Sequence, residues 1–138
     1  MNKDEVEAAK WYRKAAERGH ASAEYNLACD FYTGTGVTKS AVESVKWFRK
    51  AAEQGLASAQ KNLGGAYYNG DGVEKNVAEA VKWFRKAAEQ GNEKSQIALG
   101  GCYLLGNGVP KDYVEAHKWF NLASARGDQI KAVASSSG

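Results

Sequence analysis

Tryptophans stand at positions 11, 47, 83 and 119, each 36 residues after the last. The residues around them repeat too: Lys46-Trp47-Phe48-Arg49-Lys50-Ala51-Ala52-Glu53 returns as Lys82-Trp83-Phe84-Arg85-Lys86-Ala87-Ala88-Glu89. Lys10 to Glu17 matches both with a single Tyr-for-Phe change, and the copy from Lys118 to Ala125 has drifted. Every copy closes on a glycine, at Gly19, Gly55, Gly91 and Gly127. A fixed period in the thirties marks stacked helical hairpins, each of which buries its apolar face only against its neighbours. The 138 residues hold a little under four such units. The expected organisation is one solenoid: a lone N-terminal helix over 1–19, full repeats over 20–55, 56–91 and 92–127, and a C-terminal stub over 128–138.

One repeat shows how a unit is built. Leu56, Ala59, Leu63 and Tyr67 fall on one face of a helix. Asn69-Gly70-Asp71-Gly72-Val73 then breaks it, the glycines tolerating the positive φ of a helix end and turn. A second helix starts at Asn76, a good N-cap residue, and runs to Gln90 before Gly91. It is apolar on two sides, with Val77, Val81, Phe84 and Ala88 on one and Ala80, Trp83 and Ala87 on the other. Such a helix is sandwiched, so Trp47 and Trp83 are expected to be buried. Glu79, Lys82, Arg85, Lys86 and Glu89 take the outer arc.

Charge excludes some classes of partner. The net charge of +3 is small, and Glu7, Glu43, Glu79 and Glu115 each stand three residues before a lysine, at Lys10, Lys46, Lys82 and Lys118. That spacing gives helical ion pairs on a solvated face, so nucleic acid is not the expected partner. No apolar run is long enough for a membrane span. The N-terminal residues have no apolar signal-like stretch, which predicts a cytoplasmic location for a chain that starts here.

The pattern of Ala59, Leu63, Gly64, Tyr67, Gly70, Gly72 and Val73, followed by Glu79, Ala80, Lys82, Trp83, Phe84, Ala87, Ala88, Glu89 and Gly91, resembles the Sel-one-like repeat (SLR) family. That family is a relative of the tetratricopeptide repeats. The resemblance covers about residues 1 to 134, with departures at Ala28, Asp30, Ser124 and Ala125. It implies an all-α solenoid of about seven helices, in antiparallel pairs stacked as a right-handed superhelix with the first helices lining the concave side. It also implies a scaffold or adaptor role in protein complexes.

Reactive chemistry finds little footing. The segments Gly34 to Val37, Gly70 to Val73 and Gly106 to Val109 follow helices and lack the strand and Gly-Lys-Ser/Thr of a phosphate loop. His20 and His117 fall at different repeat positions, and His117 replaces Val45 and Val81 on what should be a packed face. No group of His, Cys and carboxylates has metal-ligand spacing. Cys29 and Cys102 lie two periods plus one apart, roughly 20 Å at about 10 Å per layer, too far for a disulfide. No cofactor and no catalytic residue are expected.

Positions identical in every repeat pack or turn; positions that differ are free to be specific. On the first helices the differing positions are Ser22, Tyr25, Cys29, Tyr32 and Thr33, then Ser58, Lys61, Gly65, Tyr68 and Asn69, then Lys94, Ile97, Gly101, Leu104 and Leu105. That spacing is a single helical face. By resemblance it faces the concave groove, with Asn26 and Asn62 on its edge. The expected function is a non-enzymatic protein- or peptide-binding scaffold, acting as a monomer. Its groove would be formed by Tyr25, Asn26, Cys29, Tyr32, Lys61, Asn62, Tyr68, Asn69, Lys94, Ile97, Leu104 and Leu105. The alternatives are a small ligand-binding or hydrolase-like protein on this scaffold, and a purely structural fragment of a longer array.

Overall fold

A computed structural model describes the backbone of residues 1–136 and the side chains of residues 1–125. Seven helices follow in order: α1 (Lys3–Glu17), α2 (Ala21–Thr33), α3 (Ala41–Glu53), α4 (Ala57–Asn69), α5 (Val77–Glu89), α6 (Glu93–Leu105) and α7 (Tyr113–Ser136). No strand occurs among the described residues. Each helix packs chiefly against its neighbours in sequence, most closely α2 on α3, α4 on α5 and α6 on α7. The all-α solenoid of paired helices expected from the 36-residue period is the fold observed.

Local chemistry sets the helix limits. The second helices start on capping side chains: Ser40 Oγ accepts from Glu43 N at 3.2 Å, Asn76 Oδ1 from Glu79 N at 3.0 Å, and Asp112 Oδ1 from Glu115 N at 3.1 Å. α4 ends where Gly70 turns left-handed at φ 69° and donates its N–H to Ala66 O. Gly72, at φ 79°, does more than turn the chain. A Cβ there would overlap Ala41 O at the start of α3, so the turn rests on the second helix of the preceding repeat. Gly36 and Gly108 make the same approach to Glu5 O and Val77 O.

The core is as periodic as the sequence. Leu27, Leu63 and Leu99 are fully buried at one position per repeat. Val45, Trp47, Phe48, Ala51 and Ala52 of α3 are buried, as are Val81, Trp83, Phe84, Ala87 and Ala88 of α5, so both helices are apolar on two sides. Trp47 and Trp83 keep only 3% and 8% exposure, whereas Trp11 is 59% exposed, since among the described residues α1 packs chiefly on α2. Glutamines tie the layers together. Gln54 Nε2 donates to Gly19 O at 2.9 Å and Glu24 Oε1 at 2.7 Å, and Gln90 Nε2 donates to Gly55 O and Gln60 Oε1, each at 2.9 Å.

Three expectations need correcting. The break at Gly127 is absent, because α7 runs on to Ser136. A helix-interior glycine costs only about 1 kcal/mol relative to Ala. The residues after 127 also lack the Leu and Tyr that dock the other first helices, so nothing forces the chain to turn. The last two residues of the expected stub, 137 and 138, lie outside the described residues. His117 is exposed, not packed. Val45 sits beneath the Gly72 turn of the next repeat, and among the described residues no such turn lies over His117. Arg85 is not on the outer arc: its guanidinium reaches Tyr103 of the next repeat, donating to the hydroxyl and lying 5.4 Å from the ring centroid. Arg49 treats Tyr67 in the same way, with the hydrogen bond at 2.5 Å.

Candidate ligand-binding groove

The first helices α2, α4 and α6 contribute one long face each. Between them lies a cavity of about 460 Å³. Cys29, Tyr32 and Thr33 of α2, Lys61, Asn62, Gly65 and Asn69 of α4, and Lys94 of α6 stand on its walls. Its remaining walls include Val45 and Phe48 of α3 and Phe84 of α5. A second cavity, of about 410 Å³, adjoins it through shared residues and is lined by Tyr25, Ser58, Lys61, Asn92, Glu93 and Lys94.

Of the twelve residues singled out in the sequence, Cys29, Tyr32, Lys61, Asn62, Asn69 and Lys94 line the larger cavity. Tyr25, Lys61 and Lys94 line the smaller. Ile97, Leu104 and Leu105 are exposed on α6 outside both. Asn26 is half-buried and lines neither. Tyr68 is also half-buried: its ring centroid lies 6.5 Å from that of Phe84, and its hydroxyl accepts from Asn107 Nδ2 at 3.3 Å. Those contacts give Tyr68 a packing task. The walls from α3 and α5 were not visible as site residues, because Val45, Phe48 and Phe84 sit at core positions of the repeat.

Two neighbouring glycines on α4 behave oppositely. A Cβ on Gly64 would stand 2.8 Å from the Phe84 ring, so packing at that glycine is tight. A Cβ on Gly65 would meet nothing within 4 Å, and Gly65 lines the larger cavity. Gly101 of α6 is open in the same sense.

Tyr25 and Cys29 of the groove influence each other's titration, and Lys61 influences that of Cys29. Burial raises the Tyr25 phenol above its usual pKa, the Cys29 thiol adds to the rise, and the Asn62 amide opposes it. Burial also raises the Cys29 thiol; the Tyr25 hydroxyl lowers it, Asp30 raises it and the Lys61 ammonium lowers it. A raised thiol pKa leaves Cys29 a weak nucleophile at neutral pH. Both cysteines are free, Cys102 buried and Cys29 partly so. No group of three or more His, Cys, Asp or Glu able to hold a metal occurs among the described residues.

Four copies of the Sel1 repeat match the chain, over residues 1–20, 21–56, 57–92 and 93–128. The chain belongs to the Sel1 repeat family. Among solved structures it is similar to c5321, a protective antigen of uropathogenic Escherichia coli strains displaying an SLR fold, with 45% identity over 92% of this chain and a TM-score of 0.88. It is also similar to a Sel1 repeat protein from Oxalobacter formigenes, with 43% identity over 88% of this chain and a TM-score of 0.85. Helicobacter pylori cysteine rich protein B matches 89% of this chain and 88% of its own length at 25% identity and a TM-score of 0.69. The chain spans 27% of the first of these proteins and 50% of the second. No curated protein matches it. No described helix is long and apolar enough to cross a membrane.

Proposed function

We propose that this chain is a non-enzymatic interaction module that holds an extended segment of a protein partner in its concave groove. Sel1 repeats form helical scaffolds that commonly serve protein interaction, which supports the general role. The observation that carries the specific reading is the cavity of about 460 Å³, whose walls come from three successive first helices and include six of the twelve residues singled out in the sequence. Packing and turn chemistry that recurs in each repeat builds the frame; varying positions face the space the frame leaves.

The test compares two double variants in binding to a partner captured from the source cells. Tyr32→Ala with Asn69→Ala removes exposed groove walls. Lys82→Ala with Glu89→Ala removes exposed side chains of α5. The groove pair is expected to weaken binding at least tenfold with helix content unchanged, and the α5 pair to leave it within about twofold, as scattered surface truncations do. The reverse pattern would place the ligand on the convex face.

A further inference from the structure

The walls of the groove are not uniform in charge. Lys61 and Lys94 are the residues common to both cavities. Neither belongs to an ion pair among the described residues. On the second helices the arrangement is different: Lys46, Lys82 and Lys118 each have a glutamate at 4.0, 3.6 and 3.9 Å. Two carboxylates also line these cavities, and neither forms an ion pair with Lys61 or Lys94. Glu93 lies in the first turn of α6, where its charge meets the positive end of the helix. Asp71 is on the turn beyond Asn69, more than about 12 Å along α4 from Lys61 at 1.5 Å per residue. Two lysines from successive repeats thus line the same space, and neither is held in an ion pair among the described residues.

Neither lysine is part of the repeat pattern. Lys61 stands where Tyr25 and Ile97 stand in the other repeats, and Lys94 where Ser22 and Ser58 stand. Beside them the larger cavity is walled by Val45, Phe48 and Phe84, and an apolar wall strengthens a charge interaction made next to it. Gly65 opens onto the same cavity although a glycine inside a helix lowers its stability and nothing packs against this one. Open glycine surface lets another backbone approach closely.

We propose that the occupant of the groove is an extended protein segment that carries an internal Asp or Glu side chain between Lys61 and Lys94. An apolar side chain next to that acid enters the larger cavity, and the backbone passes over Gly65 beside the Asn62 and Asn69 amides. The carboxylate is a side chain and not a chain end, because apolar surface is open on both sides of the lysine pair, at Tyr32 on α2 and at Ile97 and Leu104 on α6. This inference rests on the groove being the binding surface.

An array of random nonapeptides, acetylated and amidated so that no terminal charge remains, tests it with the intact chain as probe. Bound peptides are expected to be enriched in a single Asp or Glu beside an apolar residue. Lys61→Gln and Lys94→Gln should each weaken them about tenfold, as loss of a charged hydrogen bond does. Lys61→Glu with Lys94→Glu should move the enrichment to Lys and Arg. Helix content by circular dichroism checks that each variant is folded; the wild-type array alone still decides if one is not. Bound peptides without acidic bias, or with a bias that survives both Gln substitutions, overturn the acidic occupant. If those peptides are lost on Tyr32→Ala with Asn69→Ala, the groove itself stands. If no peptide binding depends on any of these residues, both the acidic occupant and the groove are overturned.

Discussion

Gly64 packs against the ring of Phe84, so close that a Cβ on it would sit 2.8 Å from two ring carbons. A Cβ on its chain neighbour Gly65 would meet nothing within 4 Å. The two identical residues therefore make opposite predictions. Gly64→Ala overpacks a close contact and is expected to cost about 1–3 kcal/mol. The low end is favoured because the first repeat carries a fully buried Ala28 at this position. Gly65→Ala fills open space on a helix and should gain up to about 1 kcal/mol. Denaturant midpoints for the two variants measure both. Equal effects of one sign would contradict the packing described.

The tryptophans are similarly divided by position. Trp83→Ala empties a site buried between helices and is expected to cost about 3–5 kcal/mol. Trp11→Ala, in a nearly identical sequence but 59% exposed, is expected to cost under about 1 kcal/mol. Equilibrium urea unfolding distinguishes the two. A loss below about 1 kcal/mol for Trp83→Ala would mean that the period does not mark the core.

Asp30 supplies a pH test. Burial raises its carboxyl above the usual range, and the charge of Glu5 adds to the rise. It also sits in the last turn of α2, at the negative end of that helix, where the equivalent residues are Ala66 and Cys102. A carboxylate with a raised folded pKa costs stability above that pKa, and the cost disappears as pH falls and the group is protonated in both states. Asp30→Ala should therefore raise stability at pH 7, by about 0.3–1 kcal/mol for a charge at the wrong helix end, with the advantage gone near pH 3. Melting curves at the two pH values give the sign. A variant less stable than the parent at pH 7 would contradict it.

Cys29 and Cys102 stand on α2 and α6, with a full repeat between them. Two free thiols are expected on titration of the unfolded chain under non-reducing conditions. A monomer lighter by two hydrogens would contradict the stacking.

The fold was legible because packing and turning positions recur. Leu27, Leu63 and Leu99, the tryptophans and the paired glycines each announce themselves several times, and a signal repeated at a fixed interval is hard to mistake. What happens only across or beyond repeats was not legible. The rest of the Gly72 turn on Ala41 O, the reach of Arg85 to Tyr103 and the exposure of His117 depend on what the neighbouring layer supplies. The groove was half legible. The varying stripe marks Cys29, Tyr32, Lys61, Asn69 and Lys94, and its edge marks Asn62; these six share a cavity. It does not distinguish Tyr68, held by Phe84 and Asn107, from a free contact residue, and it hides the walls given by Phe48 and Phe84.

The central claim is that the concave face carries the ligand. Mapping amide chemical shifts of the labelled chain, as the strongest peptide from the array is added, tests it most directly. Large shifts are predicted at Cys29, Lys61, Asn62, Gly65 and Lys94, with small ones along the solvent side of α5 at Lys82, Lys86 and Glu89. Shifts concentrated on α5 and absent at Gly65 would contradict the account.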